Sequence, residues 1–169
     1  MIITPRFILR PLSISDVSGR YLSWLSEGSV RRFIKATNAK GGLGELREYV
    51  AQREGRDDVI FLGIFTPNGE HIGNVKYEPI DYKLGSAVMG ILVGEVSWRG
   101  KGVAGEVINA SAKWLKRRRG IKSIALGVDF ENLPAILAYR KLGFVIEKTP
   151  LIPDSKVGVC TMVWHLHDS

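Results

Sequence analysis

The chain has 169 residues, of which 45% are hydrophobic and 24% are charged, and its formal net charge is +7. This length and composition predict one soluble globular domain over residues 1–169, and no apolar run approaches the roughly 20 residues of a membrane span. The start of the chain lacks the basic-then-apolar pattern of a signal peptide, and the single Cys160 cannot form an internal disulfide. We therefore expect a cytoplasmic protein with a buried, unreactive thiol.

Hydrophobic spacing and turn residues predict the elements in chain order. Seven segments are typical of strands: residues 6–10, 59–65, 71–77, 87–93, 123–128, 144–148 and 158–166. Five helices are predicted: one that Ser15 and Asp16 cap, and others over residues 30–34, 43–53, 102–118 and between Asn132 and Gly143; residues 36–44 are predicted as a loop. Early hairpins followed by a strand–helix–strand–helix unit predict an α/β (α+β) fold, with a mixed, mostly antiparallel twisted sheet and helices on both faces.

A glycine-rich turn over residues 98–105 joins the strand 87–93 to the next helix. Glycines let the backbone approach a phosphate closely, and a helix start offers free N–H groups at the positive end of its dipole. The turn therefore predicts a phosphorylated ligand. It lacks the hydroxyl residue of a nucleoside-triphosphatase loop, because Val103 stands there, and its mid-chain position argues against the dinucleotide fingerprint that its glycine spacing also matches.

Three segments together resemble the GNAT superfamily of acetyl-CoA-dependent N-acetyltransferases. The segment Arg99-x-x-Gly102-x-Ala104 resembles the family's pyrophosphate loop, and residues 128–144, with an Asn turn and a closing Tyr-x-x-Leu-Gly-Phe, are similar to its last strand–helix unit. Residues 4–12 resemble the first strand of the branch that includes ribosomal-protein N-acetyltransferases. The resemblance implies a single GNAT-type domain, an acyltransferase activity, acetyl-CoA as cosubstrate and no metal.

The resemblance also implies roles for individual residues. The strand residues Ile91, Leu92 and Val93 would pair with the pantetheine arm, and one of their amides would polarise the acetyl carbonyl. Asn132 would contact the pantetheine, and Tyr139 would donate a proton to the departing thiolate. From the residues alone, Asn132 is equally a helix cap and Tyr139 equally a core aromatic. The loop that would hold the pyrophosphate comprises Arg99, Gly100, Lys101, Gly102, Val103 and Ala104.

The chain departs from the family pattern on the strand that leads to this loop. Related enzymes often carry a glutamate there as general base, whereas this chain has Val88. The flanking segments offer Glu78, Asp81 and Glu95 as alternative bases, although each is also explained as a solvated loop carboxylate. Water is a further route for the proton.

The first helices and their loops are expected to form the acceptor groove, with Trp24, Arg32 and Phe33 as substrate-binding residues. Residues 72–81 are similar to those of bacterial surface-sugar acetyltransferases, which favours an amino-sugar nucleotide as the small-molecule amine. The alternatives are acetylation of a protein N-terminus and a CoA-binding sensor without turnover. A monomer or homodimer is expected.

Basic residues cluster over residues 113–119, at the end of a predicted helix. We interpret them first as a solvated helix end and second as an attraction for anionic CoA. Neither nucleic acid nor a membrane is an expected partner, because no aromatic platform or recognition motif accompanies the charge. His165 and His167 are interpreted as edge or tail residues, because no cysteine or carboxylate ligand set accompanies them.

Overall fold

A computed structural model of the chain describes residues 1–25, 42–154 and 157–167. Within these ranges the strands are β1 (Ile2–Ile3), β2 (Ile8–Pro11), β3 (Ile60–Phe65), β4 (His71–Asp81), β5 (Ser86–Val93), β6 (Ser123–Asp129), β7 (Val145–Ile146) and β8 (Val159–His165). The α-helices are α1 (Gly19–Trp24), α2 (Leu43–Ala51), α3 (Val103–Arg119) and α4 (Leu133–Leu142). Two short 3-10 turns cover Ile14–Asp16 and Val96–Trp98.

All eight strands belong to one sheet, in the order β1-β2-β3-β4-β5-β6-β8-β7. Each neighbouring pair is antiparallel except β5 and β6, which run parallel. Helix α3 makes the crossover between those two strands, as a parallel connection requires. The predicted mixed, mostly antiparallel sheet is therefore confirmed.

The two faces of the sheet carry two hydrophobic clusters. The larger cluster lies under α3 and α4, which contribute Val107, Leu115 and Ile136. The smaller cluster lies under α1 and α2, where Trp24 and Val50 are buried. The predicted helices on both faces are thus confirmed, and we call the side under α1 and α2 the α1/α2 face.

The first helix starts later than the sequence predicts. Ser18, not Ser15 or Asp16, caps α1, since its hydroxyl accepts from the Tyr21 amide at 3.1 Å. The reason is that Asp16 belongs to the preceding 3-10 turn, where its carboxylate accepts from the Ser13 amide at 2.9 Å. The predicted helix over residues 30–34 and most of the predicted loop over residues 36–44 lie outside the described residues.

The last two predicted strands, residues 144–148 and 158–166, form the antiparallel pair β7 and β8, although β7 covers only Val145–Ile146. Strand β8 lies between β6 and β7, so it is an interior strand, and its Cys160 side chain is buried. Burial raises the pKa of the Cys160 thiol, consistent with an unreactive cysteine. No helix in the described part of the chain is long and apolar enough to cross a membrane.

Candidate active site

Strands β5 and β6 pair only at their beginnings and then separate. Their register joins Ser86 to Ser123 and ends with Val88 opposite Ala125, so residues 89–93 of β5 have no partner on that side within the described chain. On the other side of β5, the Gly94 amide donates to the Ile72 carbonyl at 2.9 Å. The N–H and C=O groups of successive residues in a strand point to alternate sides. Since Gly94 bonds to β4, the N–H and C=O groups of Ile91 and Val93 point away from β4. We call this edge the open side of β5.

A short loop over residues 99–102, here called the anion loop, joins the 3-10 turn after β5 to α3. Gly100 and Gly102 have φ angles of 72° and 76°, a region that favours glycine. Within the described chain, no hydrogen bond of ordinary geometry joins the amides of residues 100–105 to a carbonyl, and Glu106 is the first to bond back, to Gly102 at 3.2 Å. These amides and the helix dipole form a site suited to an anion.

The two basic side chains of the anion loop are engaged with the protein. The Arg99 guanidinium donates to the carbonyls of Val93 at 3.0 Å and Gly94 at 3.2 Å, so it braces the loop against the end of β5. The Lys101 ammonium lies 5.6 Å from the centre of the Trp98 ring. Side-chain help from Arg99 and Lys101 in holding a phosphate stays a prediction.

The loop after β6 places Asn132 at the same end of the sheet as the anion loop, because parallel strands end on one side, and Tyr139 lies in the helix α4 that follows. Asn132 caps α4, and its side-chain oxygen accepts from the Ala135 amide at 3.4 Å. Tyr139 is half-buried, its ring lies 5.7 Å from that of Phe144, and burial raises the pKa of its hydroxyl. The hydroxyl therefore stays protonated at neutral pH, and its role as a proton donor stays a prediction.

The α1/α2 face holds one of the three predicted substrate-binding residues, since Arg32 and Phe33 lie outside the described residues. Trp24 is only 3% exposed. Its indole nitrogen donates to Glu95 at 3.1 Å, and its ring covers Gly94 so closely that a Cβ there would overlap it. Trp24 therefore packs α1 against Gly94 and Glu95, the segment that leads to the anion loop.

The three predicted alternatives to the missing strand glutamate all have structural partners. Glu78 lies 2.9 Å from Arg53, 3.4 Å from Lys76 and 3.7 Å from Arg56. Asp81 accepts from the Leu84 amide at 2.9 Å in the turn between β4 and β5.

Glu95 contacts Arg20 at 3.3 Å in addition to Trp24. Glu78 lies on the α1/α2 face, where it contacts Lys76 of β4 and Arg53. A base role for any of them stays a prediction.

Sequence reasoning missed a buried polar cluster on the α1/α2 face. His71 binds the Asn74 side-chain oxygen through Nε2 at 2.7 Å, and Asn74 is also hydrogen-bonded to Tyr21. The Nδ1 atom of His71 is buried without a partner among the described residues. Burial lowers the pKa of His71, so the ring is held neutral. Only the i, i+3 spacing of His71 and Asn74 hints at this cluster.

Sequence reasoning also missed a set of hydrogen bonds that holds the anion loop from the start of the chain. Arg6, near the start of the chain, donates to Glu106 in the first turn of α3 at 2.7 Å and to the Lys101 carbonyl at 2.9 Å. A separation of 100 residues leaves no local signal for such a contact. Within the described chain, no group of three or more metal-ligating side chains could hold a metal ion.

Comparison with solved structures gives close matches in fold. A chimera of the Vibrio cholerae spermidine N-acetyltransferase and hSSAT matches with a TM-score of 0.78 and 22% identity over 95% of each chain. The Vibrio cholerae enzyme in complex with CoA and spermine matches with a TM-score of 0.76 and 23% identity over 95% of each chain. A dodecameric form of that enzyme matches with a TM-score of 0.70 and 22% identity, over 95% of this chain and 94% of that one.

No curated protein sequence matches the chain. The family model of the acetyltransferase (GNAT) domain, however, matches residues 6–145, which include the anion loop, the open side of β5 and α4. Since that match spans most of the chain, the chain belongs to the GNAT family and is an N-acetyltransferase that uses acetyl-CoA.

Proposed function

We propose that the chain moves the acetyl group of acetyl-CoA directly to the primary amine of a small molecule, with an amino-sugar nucleotide as the favoured acceptor. One observation carries the proposal: the open side of β5 leads directly into the anion loop. An extended arm that ends in a pyrophosphate matches this arrangement, because its amides can pair along the strand while its phosphates accept from the loop.

The cosubstrate supplies the acetyl thioester, and the protein supplies position and polarity. On this strand the outward-facing amides of Ile91 and Val93 pair with the pantetheine arm, and one of them polarises the acetyl carbonyl. The backbone of Leu92, which lies between them, faces β4. Asn132 adds a contact to the pantetheine. The amides that hold the pyrophosphate are those of Gly100, Lys101, Gly102, Val103 and Ala104. The Arg99 amide donates to the Val96 carbonyl at 3.1 Å, so Arg99 braces the loop instead.

Tyr139 completes the proton balance. The acceptor nitrogen forms a bond to the carbonyl carbon, the carbon–sulfur bond breaks, and the Tyr139 hydroxyl gives its proton to the leaving sulfur. The acceptor nitrogen loses a proton to water or to a nearby carboxylate, because Val88 offers no base. A protonated, partly buried hydroxyl supports this role for Tyr139.

The charges on the α1/α2 face support an anionic acceptor. Glu78 there is bound by Arg53 and Lys76, so its carboxylate is already compensated. Residues 26–41, which lie outside the described part, contain four arginine and lysine residues and one glutamate. A segment with this excess of positive charge repels a polyamine and attracts the phosphates of an amino-sugar nucleotide. Trp24, Arg32 and Phe33 are the proposed acceptor contacts.

The similarity to spermidine N-acetyltransferases supports a small-molecule amine in general, since those proteins are named for one. A protein N-terminus is the alternative acceptor, and membership of the ribosomal-protein branch stays a prediction. A monomer or homodimer is the proposed assembly.

The decisive experiment is mass spectrometry of the purified protein with acetyl-CoA and a pool of amino-sugar nucleotides, polyamines and N-terminal peptides. We expect the mass of an amino-sugar nucleotide to increase by about 42 daltons, because one acetyl group replaces a hydrogen. An adduct on a peptide alone would favour the alternative acceptor. Binding of CoA without any product from the pool would contradict the proposed acceptor class.

A further inference from the structure

Arg6 contacts both the anion loop and the first turn of the helix α3 that follows it. Its Nε donates to Glu106 at 2.7 Å, its backbone amide donates to the same carboxylate at 2.8 Å, and its terminal nitrogen donates to the Lys101 carbonyl at 2.9 Å. Thr4 adds a hydroxyl donor to Glu106 at 2.7 Å. The turn between β1 and β2 is thus tied to the loop and to the helix behind it.

Glu106 is the fixed point of this network. Its side chain is 15% exposed and sits in the first turn of α3. Burial opposes its ionisation, but the donors from Thr4 and Arg6 outweigh burial and lower the pKa of Glu106, so the carboxylate is charged at neutral pH. An unpaired negative charge so near the anion loop would repel a phosphate; Arg6 offsets it.

The contact with Lys101 sets the orientation of one peptide group. A trans peptide is planar, so its C=O and N–H point in opposite directions. Because Arg6 holds the Lys101 carbonyl on its own side, the Gly102 N–H of the same peptide points away from Arg6. Reorienting this peptide rotates ψ of Lys101 and φ of Gly102, and glycine at position 102 makes the opposite orientation sterically accessible too.

We propose that Arg6 is a positioning residue for the cosubstrate: it holds the Lys101–Gly102 peptide in the orientation that presents an N–H, not a carbonyl oxygen, to the pyrophosphate. Glu106 acts with it by fixing the Arg6 guanidinium. This inference rests on the proposed placement of the pyrophosphate at the anion loop.

The test compares two ligands that differ in the pyrophosphate. Acetyl-CoA contains it, and acetyl-pantetheine lacks it together with the nucleotide. Calorimetry of both ligands gives dissociation constants for the wild type, Arg6→Gln, Arg6→Lys and Glu106→Gln. Arg10→Gln is the matched control, because Arg10 is 39% exposed against 40% for Arg6 and forms a comparable ion pair, with Asp16 at 2.8 Å.

We expect Arg6→Gln to weaken acetyl-CoA binding by about tenfold or more, the loss of about one charge-assisted hydrogen bond, while acetyl-pantetheine binding is unchanged. Arg6→Lys should restore part of the affinity for acetyl-CoA. A lysine ammonium keeps the charge but lacks the planar guanidinium that donates to Glu106 and the Lys101 carbonyl together. Arg10→Gln should bind both ligands as the wild type does. Thermal unfolding of each variant identifies any loss of fold, and Arg6→Lys and Glu106→Gln carry the test if Arg6→Gln does not fold.

Three results would separate the possible failures. Equal weakening of both ligands by Arg6→Gln would show a general structural role and overturn the inference. Tighter acetyl-CoA binding by Glu106→Gln would show that a released Arg6 contacts the phosphate directly, which also overturns it, because we expect Glu106→Gln to weaken binding. A wild type that binds acetyl-CoA no better than acetyl-pantetheine would instead refute the pyrophosphate loop itself.

Discussion

In the proposed mechanism, the Tyr139 hydroxyl gives its proton to the leaving sulfur, so its removal should slow proton transfer while the rest of the site stays intact. Replacing Tyr139 by Phe keeps the ring that packs near Phe144 and removes only the oxygen. We expect kcat to fall by about 100-fold or more, the usual contribution of a general acid, with the dissociation constant of acetyl-CoA unchanged. Steady-state kinetics and calorimetry measure the two quantities. Tyr82→Phe, at an exposed tyrosine, is the control.

The pH dependence of the same residue has a definite sign. The proton donor must be the neutral phenol, and burial raises its pKa above the ordinary value of 10.0. Tyr139 therefore stays competent throughout the neutral range, and any loss of activity that it causes lies above about pH 10. A decline in kcat well below that pH that is absent from Tyr139→Phe would contradict the assigned role.

At the scale of elements, α1 is connected to the cosubstrate side of the molecule through Gly94. The Trp24 ring leaves no room for a Cβ at Gly94. By contrast, a Cβ at Gly19, which lies in α1 together with Trp24, would meet open space. We expect Gly94→Ala to lower the free energy of unfolding by about 1–3 kcal/mol, as overpacking does, and Gly19→Ala to leave it unchanged or slightly raised. Urea titration measures both. Equal stability of the two variants would show that Trp24 moves aside freely.

The elements also show what the sequence can and cannot predict. The glycine-rich turn, the Asn132 cap and the helix predicted over residues 102–118 depend on residues a few positions apart, so local patterns identify them correctly. The contact of Arg6 with Glu106 depends on how distant strands and helices pack, and no periodicity records it. The start of α1 differs from the predicted start because two residues able to cap a helix, Asp16 and Ser18, lie within three positions of each other.

For the whole molecule, the sheet separates two pairs of helices, one pair on each face. The cosubstrate elements, α3 and α4, cover the larger hydrophobic cluster, and α1 and α2 cover the smaller one beside the proposed acceptor site. The gap between β5 and β6 lies between these two groups of helices. This arrangement explains why the family motifs mark the cosubstrate side clearly, while acceptor choice depends on the less regular first helices.

The charge distribution of the whole molecule leads to the last prediction. Residues 116–119 form a basic cluster in the last turn of α3, and the anion loop precedes its first turn. A helix of 17 residues is about 25 Å long, more than twice the Debye length of about 10 Å at 0.1 M salt. The distant cluster should therefore contribute little to acetyl-CoA capture, and it is better explained as a solvated helix end.

We expect the double substitution Arg117→Gln and Arg118→Gln to leave kcat/KM for acetyl-CoA, and its dependence on salt near 0.1 M, unchanged. Lys101→Gln, a single change in the anion loop, should lower kcat/KM and flatten the salt dependence, because its charge lies within a Debye length of the bound phosphates. Kinetics at several salt concentrations measure both slopes. A flatter slope in the double variant than in Lys101→Gln would show that the net charge of +7 steers the cosubstrate over the full length of the molecule.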